Sequence, residues 1–271
     1  MSNICMAGTG VGKSLFMCHV AASCLVQGKN VLYITLEMAE EKIAERIDAN
    51  LLDVSLNDLQ DLPKSMYKKK IKRVREKTTG KLIIKEYPTA SAHSGHIRHL
   101  LQELDLKRSF KPHIIFIDYL NICSSFRIRP GSNMNTYTYV KAIAEEIRGL
   151  AVEFNVPIMS ATQTNRAGFV STDIGLEDTA ESFGLPATAD LMFALISTEE
   201  LDELNQIAIK QLKNRYNDPT INKRFVIGLD RAKMRLFDVK PSEQTDLVDS
   251  GQEEFAQPVF DKTDFGEGWK V

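Results

Sequence analysis

The sequence predicts an α/β protein with a mostly parallel central sheet, flanking helices and antiparallel strands at its C-terminal end. Three observations predict this fold class. Apolar, β-branched strand segments alternate with amphipathic helical segments over most of the chain, as in repeated βαβ units. A glycine-rich segment, AGTGVGKS, follows the first strand directly. Three short strand segments near the C-terminal end are close enough in sequence to form hairpins.

Strand and helix segments alternate through the first half of the chain. Short apolar runs predict strands at residues 3–6, 31–37, 81–86 and 113–118. Apolar side chains spaced three or four residues apart predict helices at residues 14–27, 39–52, 64–77 and 94–104. The first helix carries Leu15, Cys18, Ala22 and Leu25 at this spacing and ends at Gly28, a residue type common at helix ends.

The second half begins with a long loop at residues 119–134. A helix at residues 139–154 precedes a polar, glycine-containing stretch at residues 165–186. Strands are predicted at residues 156–162, 189–196, 206–212, 224–229 and 234–239, the last three as antiparallel hairpins. Residues 241–271 contain eight acidic and two basic residues with little periodicity, so we expect an ordered domain at residues 1–240 and an acidic, disordered tail.

The composition limits the class of protein. With 271 residues, 43% hydrophobic and 26% charged, the chain can bury a sizeable core. A net charge of −2 excludes a polybasic coat for nucleic acid. Four irregularly spaced cysteines favour a reduced, intracellular protein over a disulfide scaffold. Because no apolar run approaches the roughly 20 residues that span a bilayer, we expect a cytoplasmic protein without a membrane partner.

The glycine-rich segment predicts a phosphate-binding loop. It matches G/A-x-x-x-x-G-K-S, with alanine in place of the first glycine. Glycines allow backbone N–H groups to converge on a phosphate at a helix N-terminus. In this pattern the lysine reaches the β- and γ-phosphates of a nucleotide and the serine hydroxyl binds Mg²⁺. The predicted nucleotide-binding residues are Ala7, Gly8, Thr9, Gly10, Val11, Gly12, Lys13 and Ser14.

Polar residues at the ends of three other strands complete the predicted site. Asp118 ends the apolar run HIIFI and is the expected second Mg²⁺ ligand. Glu37 ends the second strand and Gln163 ends VPIMSATQ; one is a candidate base and the other a candidate γ-phosphate sensor. The carboxyl ends of parallel strands share one edge of a sheet, where ligands bind. Asp118 could instead cap the next turn, and Glu37 and Gln163 could each be a polar strand end that faces water.

Five motifs occur along the chain in a characteristic order. They are ITLEM (34–38), IIFIDYL (114–120), VPIMSATQTNR (156–166), AESFGLPATADLM (180–192) and KQLKNR (210–215). In order and spacing they resemble replicative hexameric helicases of the DnaB type. Longer segments, MAEEKIAERIDANLLDVSL and TYVKAIAEEIRGLAVE, are similar to the T-even bacteriophage branch of that family. The resemblance covers about residues 1 to 235.

The resemblance implies a RecA-like P-loop NTPase core that uses ATP or GTP with Mg²⁺. It implies a homo-hexamer around single-stranded DNA that moves 5′ to 3′, with a primase and a helicase loader as partners, in the cytoplasm of an infected bacterial cell. By motif position Glu37 is the catalytic base, Asp118 the Mg²⁺ carboxylate, and Gln163 the link between the γ-phosphate and the DNA loops. Lys213 and Arg215 are similar to lysine and arginine fingers that act in the neighbouring subunit's site.

The resemblance also implies DNA contacts from two loops that line a central channel. The candidates are Arg127 and Arg129 in the first loop, and Glu181, Ser182 and Gly184 in the second. The family's second loop more usually begins Arg-Glu-Ser-Gly, whereas this chain has AESF at residues 180–183. The departure removes an expected phosphate-binding arginine.

Because a strand and the phosphate loop lie at the very start, we expect a fragment that lacks the family's N-terminal domain and linker. Two other functions stay open. One is a RecA-like recombinase or clock-type ATPase, against which ITLEM and the Lys213–Arg215 pair argue. The other is a non-catalytic product that binds nucleotide or docks on a primosome without unwinding DNA.

Overall fold

The computed structural model describes residues 1–128, 135–164, 174–179, 184–218, 221 and 223–240. Residues 1–239 form one unit, and residues 240–271 form a second, of which Lys240 alone is described. Three candidate DNA contacts, Arg129, Glu181 and Ser182, lie outside the described residues, as does the predicted acidic tail at residues 241–271.

Nine strands form a single sheet in the described part of the chain. They are β1 Ser2–Ala7, β2 Val31–Thr35, β3 Leu82–Glu86, β4 Ile114–Asp118, β5 Ile158–Gln163, β6 Leu191–Ile196, β7 Gln206–Asn214, β8 Arg224–Asp230 and β9 Arg235–Asp238. Their order across the sheet is β3-β2-β4-β5-β1-β6-β7-β8-β9. Strands β1 to β6 are parallel, and β7 to β9 extend the sheet antiparallel. The predicted fold class is therefore confirmed.

The helices connect these strands. They are α1 Lys13–Val26, α2 Glu40–Leu52, α3 Leu56–Asp61, α4 Lys64–Lys77, α5 Ser94–Arg108, α6 Thr136–Glu153, α7 Gly184–Thr188 and α8 Glu199–Glu203. The sequence prediction missed α3, α7 and α8, because five or six residues are too few to show helical periodicity. Side-chain caps start two of them: Ser55 accepts a hydrogen bond from the Asp58 N–H, and Thr198 accepts one from the Leu201 N–H. None of the described helices is both long and apolar enough to cross a membrane.

Alternate residues of the parallel strands face opposite sides of the sheet. Cys5, Tyr33 and Phe116 belong to one buried cluster with residues of α1 and α2. The intervening residues, such as Ile34 and Ile117, are also fully buried. The sheet is therefore covered on both faces at β1, β2 and β4.

The carboxyl edge of the sheet gathers the predicted nucleotide-site residues. The phosphate loop leaves β1, and β5 separates β1 from β4. Asp118 is the last residue of β4 and Gln163 the last of β5, as predicted. Strand β2 ends at Thr35, so the prediction that Glu37 is the last residue of this strand was wrong; Glu37 lies in the turn that follows.

Candidate active site

The phosphate loop between β1 and α1 depends on backbone conformations that favour glycine. Gly10 and Gly12 have φ angles of 80° and 125°, in the region that other residues rarely adopt. A Cβ atom at either position would meet no atom within 4 Å, so backbone conformation, and not crowding, requires glycine. Helix α1 begins at Lys13, directly after Gly12, and its free N–H groups and dipole favour an anion there.

The Lys13 side chain folds back over this loop. Its Nζ donates hydrogen bonds to the carbonyl oxygens of Ala7 and Gly8, at 3.2 and 2.9 Å. Burial lowers the pKa of Lys13, while the negative charges of Glu37 and Asp118 oppose that shift. The ammonium group is therefore held at the loop, next to the acidic residues of the same site.

Asp118 is a buried carboxylate whose two oxygens differ. The Tyr33 hydroxyl donates a hydrogen bond to Oδ2 at 3.1 Å, whereas Oδ1 has no hydrogen-bond partner among the described residues. Burial raises the pKa of Asp118, against the opposing effects of the nearby Ser14 and Tyr33 hydroxyls and the charges of Arg46 and Lys13. A buried oxygen without a partner, close to a serine hydroxyl, fits the oxygen ligands that Mg²⁺ prefers.

A turn after β2 exposes Glu37. The Thr35 hydroxyl donates to the Met38 carbonyl oxygen at 2.8 Å and accepts a hydrogen bond from the Met38 N–H at 3.1 Å. These two bonds close a tight turn, with Glu37 inside it and exposed to solvent. A side-chain turn of this kind is typical of threonine. The turn, and not the strand itself, therefore sets the position of the carboxylate.

A cleft of about 370 Å³ brings the phosphate loop, Glu37 and Gln163 together, whereas the buried Asp118 is not among its lining residues. Its lining includes loop residues, Glu37 and Gln163, together with the side chains of two arginines: Thr9, Gly10, Gly12, Lys13, Ser14, Leu15, Glu37, Arg46, Leu56, Gln163, Arg231 and Met234. Gln163 pairs with Ala7 across β5 and β1, and its Nε2 donates to the Tyr119 hydroxyl at 3.3 Å. Its amide is therefore beside the phosphate loop.

Sequence reasoning missed Arg46 and Arg231. Arg231 pairs with Asp202 at 2.7 Å, whereas the charge of Arg46 acts on the buried carboxylate of Asp118, whose pKa it lowers. Arg46 follows Ile43 by three residues and precedes Ile47, both fully buried residues of α2. The position of Arg46 beside the apolar face of an amphipathic helix was the sequence signal that could have identified this residue.

Lys213 and Arg215 lie at the opposite edge of the sheet. Lys213 belongs to β7 and pairs with Met192 near the start of β6. Arg215 Nε is 3.4 Å from Oδ1 of Asp190, whose Oδ2 accepts a hydrogen bond from the N–H of Ser2, the first residue of β1, at 2.9 Å. Six residues of β1 separate that point from the phosphate loop, or about 17 Å at the rise of a parallel strand.

Two of the candidate DNA contacts are described. Arg127 is half-exposed, and its guanidinium pairs with Glu145 at 2.7 Å and with Glu146 at 3.3 Å. The hydrogen bonds that Glu146 accepts from Ser94, Ser125 and nearby backbone N–H groups hold this loop. Gly184 is the buried first residue of α7.

Comparison with known proteins identifies relatives among replicative helicases. The family described as DnaB-like helicase C terminal domain matches residues 2–226. The chain is 46% identical over 269 residues to the DnaB-like replicative helicase of Enterobacteria phage T4, which covers 97% of this chain and 56% of that protein. It is 27% identical over 194 residues to the replicative DNA helicase DnaB of Helicobacter pylori, with 70% and 38% covered. The chain thus spans about half the length, or less, of these curated relatives.

Solved structures share the fold. One of them, an ATPase domain, superposes with a TM-score of 0.72 at 16% identity, over 88% of this chain and 84% of that one. A DnaB-like replicative helicase, solved in a study of its interactions with primase, superposes with a TM-score of 0.71 at 17% identity, over 88% and 57%. The family model matches most of the described residues, and the parallel sheet and phosphate loop agree with that match. The chain therefore belongs to the family of DnaB-like helicase C-terminal domains.

Proposed function

We propose that this chain is the motor domain of a replicative DNA helicase, which couples hydrolysis of ATP or GTP to 5′-to-3′ movement along single-stranded DNA in a homo-hexameric ring. The observation that carries the proposal is the division of the predicted catalytic groups between two edges of one sheet. The phosphate loop, Glu37, Asp118 and Gln163 lie at the carboxyl edge, and Lys213 and Arg215 at the amino edge.

The phosphate loop, residues 7–14, binds the nucleotide phosphates. Lys13 exchanges its hydrogen bonds to loop carbonyls for the β- and γ-phosphates, a stronger, charge-assisted interaction. Ser14 and Asp118 would hold Mg²⁺, which when bound neutralises part of the charge that develops on the transferred phosphoryl group. Oδ1 of Asp118, buried without a hydrogen-bond partner among the described residues, is the atom best suited to that contact.

Glu37 accepts the proton of the attacking water. It is exposed to the cleft that Lys13 and Ser14 line, so a water between it and the γ-phosphate has access to the carboxylate. Gln163 ends the strand between β1 and β4, and its amide responds to the presence of the γ-phosphate. Both residues act on a reaction in which positioning and charge stabilisation supply most of the rate.

Lys213 and Arg215 act in the site of a neighbouring subunit. The phosphate loop of the same chain is about 17 Å away along β1, farther than either side chain reaches. A cation delivered by a neighbour stabilises the transition state only when the two subunits close. Hydrolysis therefore depends on ring geometry, and an isolated subunit turns over poorly.

The DNA path is sequence-independent. A motor that moves over any sequence contacts the phosphate backbone and not the base edges. We assign this contact to Arg127 and Arg129 in the first loop, and to Glu181, Ser182 and Gly184 in the second. In this proposal Arg127 exchanges one carboxylate partner for a DNA phosphate. A primase and a helicase loader are the proposed protein partners.

A strand-displacement assay tests the proposal. Forked duplexes with a 5′ or a 3′ single-stranded tail are incubated with the chain, Mg²⁺ and ATP or GTP, while sedimentation reports ring assembly. We expect DNA-stimulated hydrolysis and displacement on the 5′-tailed substrate only. Rings that hydrolyse ATP without displacing a strand would instead support a RecA-like recombinase. Nucleotide binding without hydrolysis would support a non-catalytic interaction protein.

A further inference from the structure

A buried carboxylate lies under the proposed finger residues. Asp190 is 1% exposed, and its two oxygens bind different parts of the chain. Oδ2 accepts a hydrogen bond from the Ser2 N–H at 2.9 Å. Oδ1 accepts hydrogen bonds from Nε and Nη2 of Arg148 at 3.2 and 3.1 Å, and Nε of Arg215 lies 3.4 Å from the same oxygen.

Two arginines, Arg148 and Arg215, surround the carboxylate of Asp190. Burial alone would raise the pKa of Asp190, but hydrogen bonds from Ser2 and Arg148 and the charges of Arg148 and Arg215 together lower it. The carboxylate is therefore ionised at neutral pH, in a position where it can hold a guanidinium group. A buried carboxylate that lost these partners would be strongly unfavourable, which keeps the arrangement intact.

Helix α7 supplies the second half of the same contact. The Lys213 Nζ donates to the carbonyl oxygens of Pro186 and Ala187 at 2.6 and 3.1 Å, and Arg215 Nη2 donates to the Ala187 oxygen at 3.3 Å. The last carbonyl groups of a helix have no intrahelical partner and carry partial negative charge. Both finger side chains are thus held by acceptors of their own chain, at the point where β7 ends.

We propose that Asp190 is a positioning residue for the neighbouring subunit's reaction: it fixes the base of the Arg215 side chain so that the guanidinium projects toward the next subunit's phosphates. The inference rests on the proposed function, because it requires a finger that acts between subunits. Asp190 itself lies about 17 Å along β1 from its own phosphate loop and touches no nucleotide. Its effect is therefore expected in the neighbour's turnover and not in nucleotide binding by its own subunit.

Subunit mixing separates this effect from a structural one. Asp190→Asn keeps the size of the side chain and weakens its hold on the two arginines. We expect DNA-stimulated hydrolysis to fall at least about tenfold, with the nucleotide Kd unchanged, since misplacing a group by about 1 Å can cost 10²-fold in rate. Mixing with Glu37→Gln subunits should restore hydrolysis, because these subunits supply intact fingers to sites that retain an intact base.

Two further variants keep the test decisive. Asp190→Glu retains the charge but moves the oxygens, so it should show the same loss and the same recovery even where Asp190→Asn folds poorly. In an Arg215→Ala background, Asp190→Asn should add no further loss, because the group on which it acts is gone. Glu153→Gln is the matched control: it removes a carboxylate that pairs with Arg98 at the surface, and its hydrolysis should match wild type.

Three results would overturn the inference. The first is a wild-type rate of hydrolysis in folded Asp190→Asn and Asp190→Glu. The second is a loss of hydrolysis that mixing with Glu37→Gln subunits does not recover. The third is a double variant with Arg215→Ala in which the two losses of hydrolysis multiply. The mixture of Arg215→Ala with Glu37→Gln is run in parallel. If this mixture stays inactive in assembled rings, action between subunits fails, and with it both the proposed function of Arg215 and the inference. If it recovers while the Asp190 mixtures do not, the inference alone fails.

Discussion

Replacing Tyr33 by phenylalanine removes one hydroxyl group from beneath the proposed Mg²⁺ site. Tyr33 is fully buried, and its ring stacks on Phe116 with centroids 5.6 Å apart, a contact that phenylalanine retains. The change removes the hydrogen bond to Asp118 Oδ2, which is 3.1 Å long, together with a weak 4.0 Å hydrogen bond that the hydroxyl accepts from the Cys18 thiol; of the two, only the first acts on the carboxylate. A hydrogen bond to a charged group contributes about 1.5–3 kcal/mol, so its loss should favour protonation of Asp118 by about ten- to a hundredfold and raise its pKa further.

The sign of the pH dependence follows from the direction of that shift. Burial already raises the pKa of Asp118 above its value in the unfolded chain, so this group's contribution to folding stability is lost as pH rises through the folded-state pKa. Mg²⁺ binding has the opposite dependence, because it requires the ionised carboxylate. Tyr33→Phe should therefore move the rise of Mg²⁺ binding to higher pH.

The assay is a Mg²⁺ titration of fluorescent ADP binding at a series of pH values. Below the raised pKa, Tyr33→Phe should need at least about tenfold more Mg²⁺, and the wild-type and variant curves should converge at high pH. Tyr67→Phe is the matched control, since it removes a hydroxyl that donates to Asp48, away from the cleft. Identical Mg²⁺ curves for Tyr33→Phe and wild type at every pH would refute the role given to this hydrogen bond.

Three further substitutions test other parts of the site. Thr35→Val opens the turn after β2 and should lower kcat about tenfold with little change in nucleotide Kd, whereas Thr198→Val, which removes the cap of α8, should leave kcat unchanged. Arg46→Ala removes a cation from the lining of the cleft, and should weaken nucleotide binding about 10- to 100-fold, measured by fluorescence titration. Arg127→Ala should weaken binding to single-stranded DNA of any sequence and reduce the slope of log affinity against log salt by about one. Arg98→Ala, at a surface ion pair, is the control for both arginines.

Much of the carboxyl edge could be predicted from the sequence, because local signals report it. Apolar runs that stop at a polar residue identified Asp118 and Gln163 as strand ends, and the glycine spacing identified the loop. Glu37 was misjudged by two residues, since ITLEM has the composition of a continuous strand. The Thr35 hydroxyl ends the strand by forming hydrogen bonds with the backbone of Met38. Such side-chain bonds compete with strand pairing for backbone groups, and the amino-acid composition of the segment does not reveal them.

The amino edge could not be predicted in the same way. The resemblance named Lys213 and Arg215, but nothing local shows that Asp190, 25 residues before Arg215, lies beneath them. That contact arises because β6 and β7 are antiparallel and β1 lies beside β6. Pairing of this kind is a property of the whole sheet, so the anchor of the finger becomes visible only once the strand order is known.

In the proposed motor, each active site is completed by groups from two subunits. The most direct measurement mixes Arg215→Ala with Glu37→Gln under conditions where sedimentation shows assembled rings, and records DNA-stimulated ATP hydrolysis. Each variant alone should be at least about a hundredfold slower than wild type. An equal mixture should recover up to about a quarter of the wild-type rate, because about one interface in four pairs an intact base with an intact finger. Mixed rings as inactive as either variant alone would contradict a site shared between subunits.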